Sequence, residues 1–356
     1  MLQPAAHAGR GAAPVRARRQ SASPAALPVL VREVVEPRWP HFRLGPPSLD
    51  GLTRRRGNGL IRLLHVDGAP VLVAVSGTVF AARAVDEASA REGIARMRFA
   101  TGIDDDLAEF HARFRDDPVL GRAIRARPWL RVRRNPTAFE SLAWAITEQL
   151  IEVVRANAIQ RRLVAAHGRR HGLLRDSPEA ETVAGLAPAE IDACGLAPKR
   201  TLALRRAARE VAAGRVALAR RAEGAPAATA TPARTARLAD GPRAALVAGA
   251  HGADFARLLA IPEIGTWTVE MLALHGLGRL DVVPAGDLGY LKLVGRLQTG
   301  NPRAIADEDE VRGFFSAYAP YAGMAAQYLS GPARTLPAPR RAGTRWSAGS
   351  PRTAAA

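Results

Sequence analysis

Residues 259–293 contain the side chains whose types and spacing could support chemistry. Pro262 ends a preceding helical pattern and Gly265 permits a tight turn, after which Thr266 and Thr268 flank a tryptophan at the start of an amphipathic helix. A turn of this kind directs free backbone N–H groups and the positive end of a helix dipole outward, which suits a phosphate group. The alternative is an ordinary corner between two core helices, and the turn alone does not separate the two.

A carboxylate follows this helix in the loop VPAGDLG, residues 283–289. An aspartate in such a loop can stabilise a developing positive charge and can orient or deprotonate an attacking water molecule. The structural alternative is that Asp287 is the N-cap of a helix over residues 288–298, and one side chain can do both. Asp281 is the rival acid, which we interpret as a loop or capping residue.

The turn and the loop together resemble the helix-hairpin-helix DNA glycosylase superfamily, of the 3-methyladenine DNA glycosylase II type. Residues 261–267 (IPEIGTW) resemble the superfamily's hairpin, and residues 283–289 resemble the loop that presents its catalytic aspartate, at a matching spacing. The likeness covers about residues 28–330, and it includes three further segments: 139–150, 197–200 and 320–325.

The resemblance implies a catalytic role for Asp287 and a set of residues around it. Trp267 and Tyr318 would line a pocket that holds an electron-poor, cationic base by stacking and cation–π attraction, with core packing as the alternative for both. Leu150 would fill the gap that a flipped base leaves in the duplex, although a leucine at helical spacing is more commonly a core residue. The remaining expected DNA contacts are Gln149, Gly265, Thr266 and Thr268.

The implied reaction is hydrolysis of the N-glycosidic bond of alkylated bases in duplex DNA. Most glycoside hydrolases need two carboxyl groups, but an N-alkylated purine is already cationic and leaves without a general acid. Bifunctional lyases of the superfamily carry an imine-forming lysine where this chain has Trp267, so we expect a monofunctional enzyme without a lyase step. No organic cofactor is implied. A monovalent cation at the hairpin would be held by the backbone carbonyls of Leu259, Ile261 and Ile264.

Several positions depart from the superfamily's pattern. Glu263 stands where the first hairpin glycine is usual, which strains any need for a positive φ and brings a negative charge toward the expected phosphate. The departures leave open a second hypothesis, a non-catalytic or degenerate helix-hairpin-helix DNA-binding protein. The other departures are Glu148, Glu152, Ala322 and Ser330.

The composition fits a nucleic-acid partner and restricts the other classes. The formal charge of +18 favours a polyanion, but nine of these charges are arginines of residues 1–27 and 331–356. The single cysteine, Cys194, excludes an internal disulfide and a four-cysteine zinc or iron–sulfur site within the chain. No apolar run approaches the ~18 residues of a membrane span. We expect a monomeric cytoplasmic protein associated with the nucleoid, which binds double-stranded DNA and needs no membrane or obligate protein partner.

The order of the patterns along the chain predicts an α+β fold. A β-rich domain is expected over residues 28–103, and a two-lobed helical core over residues 104–330. A low-complexity insertion of Ala, Thr, Pro and Arg interrupts the core at 218–240. The terminal tails, residues 1–27 and 331–356, are rich in Ala, Arg and Pro and are expected to be disordered.

Periodicity predicts the individual elements. β-branched and partly alternating segments at 29–35, 60–66 and 70–84 indicate a mainly antiparallel sheet. The clearest helix is predicted over residues 136–166, with Asn135 as its N-cap, because apolar residues recur there at steps of three and four.

Overall fold

The computed structural model describes residues 26–218, 246–247 and 251–330. Its N-terminal part is a five-stranded antiparallel sheet with the strand order β1-β5-β4-β3-β2. Gly68 and Gly77 have φ values of 81° and 56°, which lets β3, β4 and β5 follow one another through tight turns. The strands are β1 Val29–Val34, β2 Thr53–Arg56, β3 Gly59–Val66, β4 Ala69–Ser76 and β5 Val79–Ala84.

The sheet is covered on both faces at its centre. Helix α1 (Glu87–Thr101) packs on one face, and β3 is buried along its whole length because its other side meets the helical part of the chain. The cluster between the sheet and α1 includes Val71, Val73, Phe80, Ile94 and Met97.

The other regular elements are helices and one short hairpin. A π-helical turn, Leu272–Gly276, directly continues α10, and such turns are frequent at functional sites. The short hairpin is a β-hairpin, separate from the helical hairpin at 261–267, and is formed by β6 Arg170–His171 and β7 Leu174–Arg175. The helices are α2 Ala108–Phe114, α3 Gly121–Ala126, α4 Ala138–Glu148, α5 Val153–His167, α6 Ala180–Gly185, α7 Pro188–Asp192, α8 Pro198–Ala212, α9 Gly252–Leu259, α10 Thr266–Met271, α11 Leu288–Thr299, α12 Glu308–Ser316 and α13 Ala322–Leu329.

Two apolar clusters divide the helical part into two lobes. The first is built mainly from α4, α5, α8 and α9, and the second mainly from α2, α3, α11, α12 and α13. Val269 and Leu272 belong to the first cluster, whereas Leu274 belongs to the second. The hairpin helix α10 and its π turn therefore lie where the lobes meet. The predicted α+β fold with a two-lobed helical core is confirmed.

The single helix predicted over residues 136–166 is in fact two helices, α4 and α5. Thr137, not Asn135, caps α4 with its side chain. The break falls at residues 149–152, which we call the wedge turn. Leu150 in this turn has a φ of 52°, which is incompatible with a continuing α-helix.

A buried network of charged groups joins the sheet to the helical part. Arg62 of β3 donates Nη2 to Glu140 Oε2 of α4 at 2.5 Å and lies 3.5 Å from Asp176 Oδ1. His65 Nδ1 lies 3.1 Å from Asp176 Oδ2, and Ser177 Oγ donates to Glu140 Oε2 at 2.8 Å. Burial raises the pKa of Glu140 to about 7, against the attraction of Arg62. Removing one partner of a buried ion pair leaves an uncompensated charge, so this network couples the two parts of the fold.

The predicted tails and the insertion at 218–240 lie outside the described residues, apart from their edge residues 26, 27 and 218. The domain boundaries stay predictions. Among the residues that the structure describes, no helix is both long and apolar enough to cross a membrane.

Candidate active site and DNA-facing surface

Asp287 lies at the end of the carboxylate loop, residues 283–287, and begins α11. Its Oδ1 accepts the backbone N–H of Gly289 at 2.7 Å, so the predicted N-cap is present. Its backbone N–H donates to Pro284 O at 3.0 Å, which closes the loop. Asp287 is half-buried, and its Oδ2 accepts no hydrogen bond from any described residue. Capping therefore uses one carboxylate oxygen and leaves the other for chemistry.

Trp267 lies beside the carboxylate loop at the start of α10. A methyl group added at Gly286 would lie 3.5 Å from Trp267 Cβ, so the tryptophan contacts the residue that precedes Asp287. The side chain is half-buried, and its Nε1–H is buried without an acceptor among the described residues. The exposed part of this aromatic ring, next to a carboxylate, suits stacking with a planar ligand.

Three further side chains share the electrostatic environment of Asp287, and sequence reasoning assigned none of them to the site. Burial raises the pKa of Tyr290 to about 12, and the charge of Asp287 adds to this rise. Burial also raises the pKa of Glu148, with Asp50 and Asp287 adding to it. His275, in the π turn, has a pKa lowered by burial, which Asp287 opposes. Tyr290 could have been found, because it lies one helical turn after Asp287.

The hairpin turn is built differently from the sequence expectation. Gly265 was expected to provide the tight turn, but its φ of −99° and ψ of 179° are open to any residue. The left-handed residue is Glu263, with a φ of 71°. A non-glycine residue in this region carries strain of about 1–2 kcal/mol. A Cβ added at Gly265 would meet nothing within 4 Å, so neither backbone nor packing requires glycine there.

Gln149 connects the wedge turn to the hairpin. Its Nε2 donates to Glu263 O and to Thr268 Oγ1, both at 2.8 Å. Arg200 of α8 donates Nη1 to Gln149 O at 2.7 Å. Thr268 is 1 % exposed, so its hydroxyl is used inside the protein rather than offered to a partner, whereas Thr266 is half-exposed. Gln149 and Thr268, which were predicted to contact DNA, therefore hold the wedge turn and the hairpin together within the protein.

Leu150 projects from the wedge turn and is fully exposed. The alternative that Leu150 is a core residue does not apply, because Leu150 belongs to neither apolar cluster of the helical part. Val153 and Val154 beside it are also largely exposed. A strained, exposed leucine gains nothing from burial in the free protein, and such strain is typical of functional positions.

Three basic side chains lie near the wedge turn and the hairpin. We call Arg155, Lys199 and Arg200 the basic rim. Burial lowers the pKa of the Arg200 guanidinium, and the nearby charge of Arg155 lowers it further. The one carboxylate within 4.0 Å of the rim's charged atoms, among the described residues, is Glu263 beside Lys199. Like charges held together with so little compensation favour an anionic partner.

Tyr318 lies within the second apolar cluster, and Ala322 and Ser330 lie at the two ends of α13. Tyr318 is 1 % exposed, packs in the second apolar cluster, and donates its hydroxyl to Asp117 at 3.3 Å. The structure therefore favours the core alternative over the pocket role. Ala322 is buried at the start of α13. Ser330 stands at a position where an aromatic residue is common in the superfamily. Its Oγ lies 3.3 Å from Tyr290 Oη.

The carbonyls expected to hold a cation lie on the hairpin. Ile261 O already accepts the backbone N–H of Ile264 at 3.1 Å and keeps one lone pair. Neutral carbonyl oxygens can bind a monovalent ion, and a cation held by Leu259, Ile261 and Ile264 stays a prediction. The described residues contain no cluster of His, Cys, Asp or Glu that could hold a metal ion.

Comparison with known proteins decides the family. Residues 143–318, which include the wedge turn, the hairpin and the carboxylate loop, match the sequence profile described as HhH-GPD superfamily base excision DNA repair protein. The chain belongs to this superfamily. The curated relatives of this HhH-GPD chain include the probable bifunctional transcriptional activator/DNA repair enzyme AlkA of Mycobacterium tuberculosis, 31% identical over 204 residues. That match covers 55% of the chain and 34% of the relative, so the chain spans about a third of the length of the curated relatives it matches.

Solved structures share the fold of this HhH-GPD chain at low identity. The 3-methyladenine DNA-glycosylase from Archaeoglobus fulgidus superposes with a TM-score of 0.61 at 18% identity, covering 84% of this chain and 96% of the other. The 8-oxoguanine glycosylase/lyase of Clostridium acetobutylicum gives 0.57 at 15% identity, covering 84% and 95%. Both kinds of enzyme share the fold, so the fold alone does not separate hydrolases from lyases.

Proposed function

We propose that this protein is a DNA glycosylase that hydrolyses the N-glycosidic bond of alkylated bases, of the 3-methyladenine type, in duplex DNA. The observation that carries this proposal is that Asp287, with one free carboxylate oxygen, and the half-buried indole ring of Trp267 lie together where the two lobes meet. Membership of a base excision DNA repair superfamily supports the reaction class.

The site suits a leaving group that needs no proton. A cationic N-alkylated base stacks on Trp267, and the bond between the sugar C1′ and the base nitrogen breaks with its electron pair leaving on the base. Asp287 stabilises the positive charge that develops on the sugar and orients the water whose oxygen bonds to C1′. The water's proton passes to Asp287 and then to solvent. The Gly289 N–H holds the carboxylate in one orientation throughout.

Base release from a duplex requires the base to leave the stack. In this proposal Leu150 enters the vacated space, which explains why an apolar side chain is fully exposed in a strained turn. The basic rim and the backbone N–H groups between Gly265 and Thr268 contact the phosphates on either side. The fixed geometry of Gln149 keeps the hairpin and Leu150 in register.

A second candidate function is DNA binding without catalysis. Glu263 favours it, because its charge lies in the turn expected to meet a phosphate, and Ala322 stands where an arginine is common in the superfamily. Lys199, whose Nζ lies 4.0 Å from Glu263 Oε1, partly neutralises that charge. The free oxygen of Asp287 favours the enzyme.

Substitution of Asp287 tests the proposal most directly. We expect Asp287→Asn to reduce release of a methylated base from duplex DNA at least ~10³-fold, because the charge is needed in the transition state and not in the ground state. Asp281→Asn is the matched control, since Asp281 pairs with Arg279 at 2.7 Å and has no place in the reaction. Binding to abasic duplex should survive in both variants. Normal release by Asp287→Asn would refute the role of Asp287, and no release by the wild type would favour the DNA-binding alternative.

The product is expected to be an intact abasic site. Trp267 cannot form the imine that a lyase step requires, and the described lysines, Lys199 and Lys292, are on α8 and α11 rather than on α10. Borohydride treatment during turnover should therefore trap no covalent protein–DNA adduct. An adduct would overturn the monofunctional assignment while leaving base release intact.

A monovalent cation at the hairpin is part of the proposal. Carbonyls of Leu259, Ile261 and Ile264 would hold it, and its charge would assist the contact with a phosphate. Replacing potassium with an equal concentration of a bulky organic cation should then weaken duplex binding, and equal affinity in both salts would argue against the ion.

A further inference from the structure

Glu270 is a buried acid that the proposed reaction does not use. It lies on α10, one turn after Trp267, and is 3 % exposed. Its Oε2 accepts the backbone N–H of Ala285 at 3.2 Å, and its Oε1 accepts Nη2 of Arg312 at 2.6 Å. Ala285 is fully buried and lies two residues before Asp287. One carboxylate thus joins α10, α12 and the carboxylate loop.

The loop has little freedom around this bond. A methyl group added at Gly286 would lie 3.0 Å from Glu308 Oε1 as well as beside Trp267. Arg312 also contacts Glu308 Oε2, at 3.3 Å, so α12 forms one wall and α10 the other. Between these walls the Ala285 N–H has one acceptor among the described residues, which is Glu270. Losing that acceptor would leave a buried N–H unpaired.

We propose that Glu270 is a positioning residue that sets the place of Asp287 by holding the Ala285 N–H. This inference rests on the proposed function for its consequence in catalysis, but the bond itself can be measured without turnover. The ionised carboxylate offers acceptor oxygens to both the loop and Arg312, whereas protonation makes one oxygen a weaker acceptor that carries a proton, and an amide replaces one oxygen with a donor. A misplacement of the reacting carboxylate by about 1 Å is enough to slow a reaction by ~10²-fold.

The position of Glu270 also predicts a pH dependence. Burial raises the pKa of Glu270 to about 7, Glu308 adds to the rise, and Arg312 and the Ala285 N–H oppose it. Arg312 and Glu308 of α12 are the charged groups that face it. The loop is held by the ionised form, so base release by the wild type should increase as the pH rises through about 7 and decrease below it.

The decisive experiment compares Glu270→Gln with Glu270→Gln/Arg312→Met in the full chain, under single-turnover conditions with a methylated duplex. We expect the single variant to slow release roughly 10- to 100-fold with unchanged affinity for abasic DNA, because its amide must place N–H against either Ala285 or Arg312. The double variant removes the competing arginine, so the amide oxygen can face Ala285, and it should recover most of the rate. The pH limb near 7 should be absent from the double variant.

Glu140→Gln is the matched control. Glu140 is equally buried, pairs with an arginine, and has its pKa raised to about 7, but it contacts the sheet rather than the carboxylate loop. It should lower thermal stability and leave the release rate and its pH limb unchanged. A wild-type release rate and pH limb in Glu270→Gln, with only stability reduced, would show a merely structural role and overturn the inference.

Hydrogen exchange at the Ala285 amide measures the hydrogen bond between Ala285 and Glu270 independently of catalysis. After correction for intrinsic exchange, protection should be high in the wild type above pH 7, fall below it, and be lost in Glu270→Gln. Should the single variant not fold, the double variant is compared with the wild type above pH 7, and an unprotected Ala285 amide together with a wild-type release rate would overturn the inference. A wild type that releases no base but shows this pattern would refute the proposed function while supporting the positioning of the loop.

Discussion

The wedge turn contacts the hairpin helix α10 through Thr268, the carboxylate loop contacts it through Trp267 and Glu270, and the two segments are built in opposite ways. The wedge turn exposes Leu150 completely and holds it at a positive φ through hydrogen bonds made by its neighbour Gln149. The carboxylate loop buries Ala285 and is held through the buried side chain of Glu270. Strain that is exposed can be relieved by a partner, whereas a buried charge fixes geometry before any partner arrives.

Substitution of Leu150, in the wedge turn, should have a large effect on base release and none on thermal stability, which distinguishes the wedge turn from the buried carboxylate loop. Because the side chain touches no core, Leu150→Ala should leave thermal stability unchanged. Release of a methylated base from duplex DNA should fall about 10- to 100-fold, since unstacking costs a few kcal/mol that the wedge no longer offsets. Release from a mismatched duplex should suffer less. The control is Leu173→Ala, another exposed leucine, in the hairpin between β6 and β7. Equal release by wild type and Leu150→Ala would remove the wedge from the mechanism.

The sequence predicted the hairpin and the carboxylate loop because both are continuous motifs. It could not predict the break between α4 and α5, since residues 149–152 contain no glycine, proline, asparagine or aspartate and continue the helical apolar spacing. At the break, Gln149 is bonded to residues distant in sequence: Arg200 donates to its carbonyl, and its side chain donates to the hairpin. Tertiary hydrogen bonds here outweigh local propensity.

The resemblance marked Glu263 as the position where a positive φ could be needed, and the structure has that conformation there, with the Glu263 carbonyl held by Gln149. The local sequence had suggested Gly265 for the tight turn, and Glu270 was not assigned a role. Glu270 lies on an amphipathic helix, where an acid usually marks the solvent face. Its burial appears only when α12 brings Arg312 against it.

Glu263 should give an intermediate effect. Glu263→Gly removes both the strain at φ 71° and the negative charge, so we expect it to stabilise the protein by about 1 kcal/mol and to tighten duplex binding a few-fold. Glu263→Gln separates the two, because it removes the charge and keeps the strain. Chemical denaturation and binding isotherms at several salt concentrations measure both. Weaker binding by the glycine variant would mean that the turn does not meet a phosphate.

Gly265 should give the smallest effect on stability and a selective effect on binding. Its backbone is open to alanine and a Cβ there meets nothing, but Gly265 is the N-cap of α10, where alanine is less favourable than glycine, so Gly265→Ala should leave the free energy of unfolding nearly unchanged. The added methyl group would occupy the space that a phosphate needs, so duplex affinity should decrease modestly. Gly185→Ala, at the end of α6 and also open to a Cβ, is the control for affinity. Unchanged affinity in both variants would move the phosphate contact away from Gly265.

The Arg62–Glu140 pair has a consequence for how this chain could be recombined. Glu140 lies on the helix that ends at the wedge turn, and the cation that compensates it comes from the sheet. In the full chain, where the sheet still covers Glu140, Arg62→Met would leave a buried carboxylate without its cation, a loss of about 3–5 kcal/mol. The sheet is thus both the cover and the source of the counter-charge for this part of the core. A descendant that exchanged its N-terminal strands for another cover would have to supply a cation at Glu140 or replace Glu140 with an apolar residue.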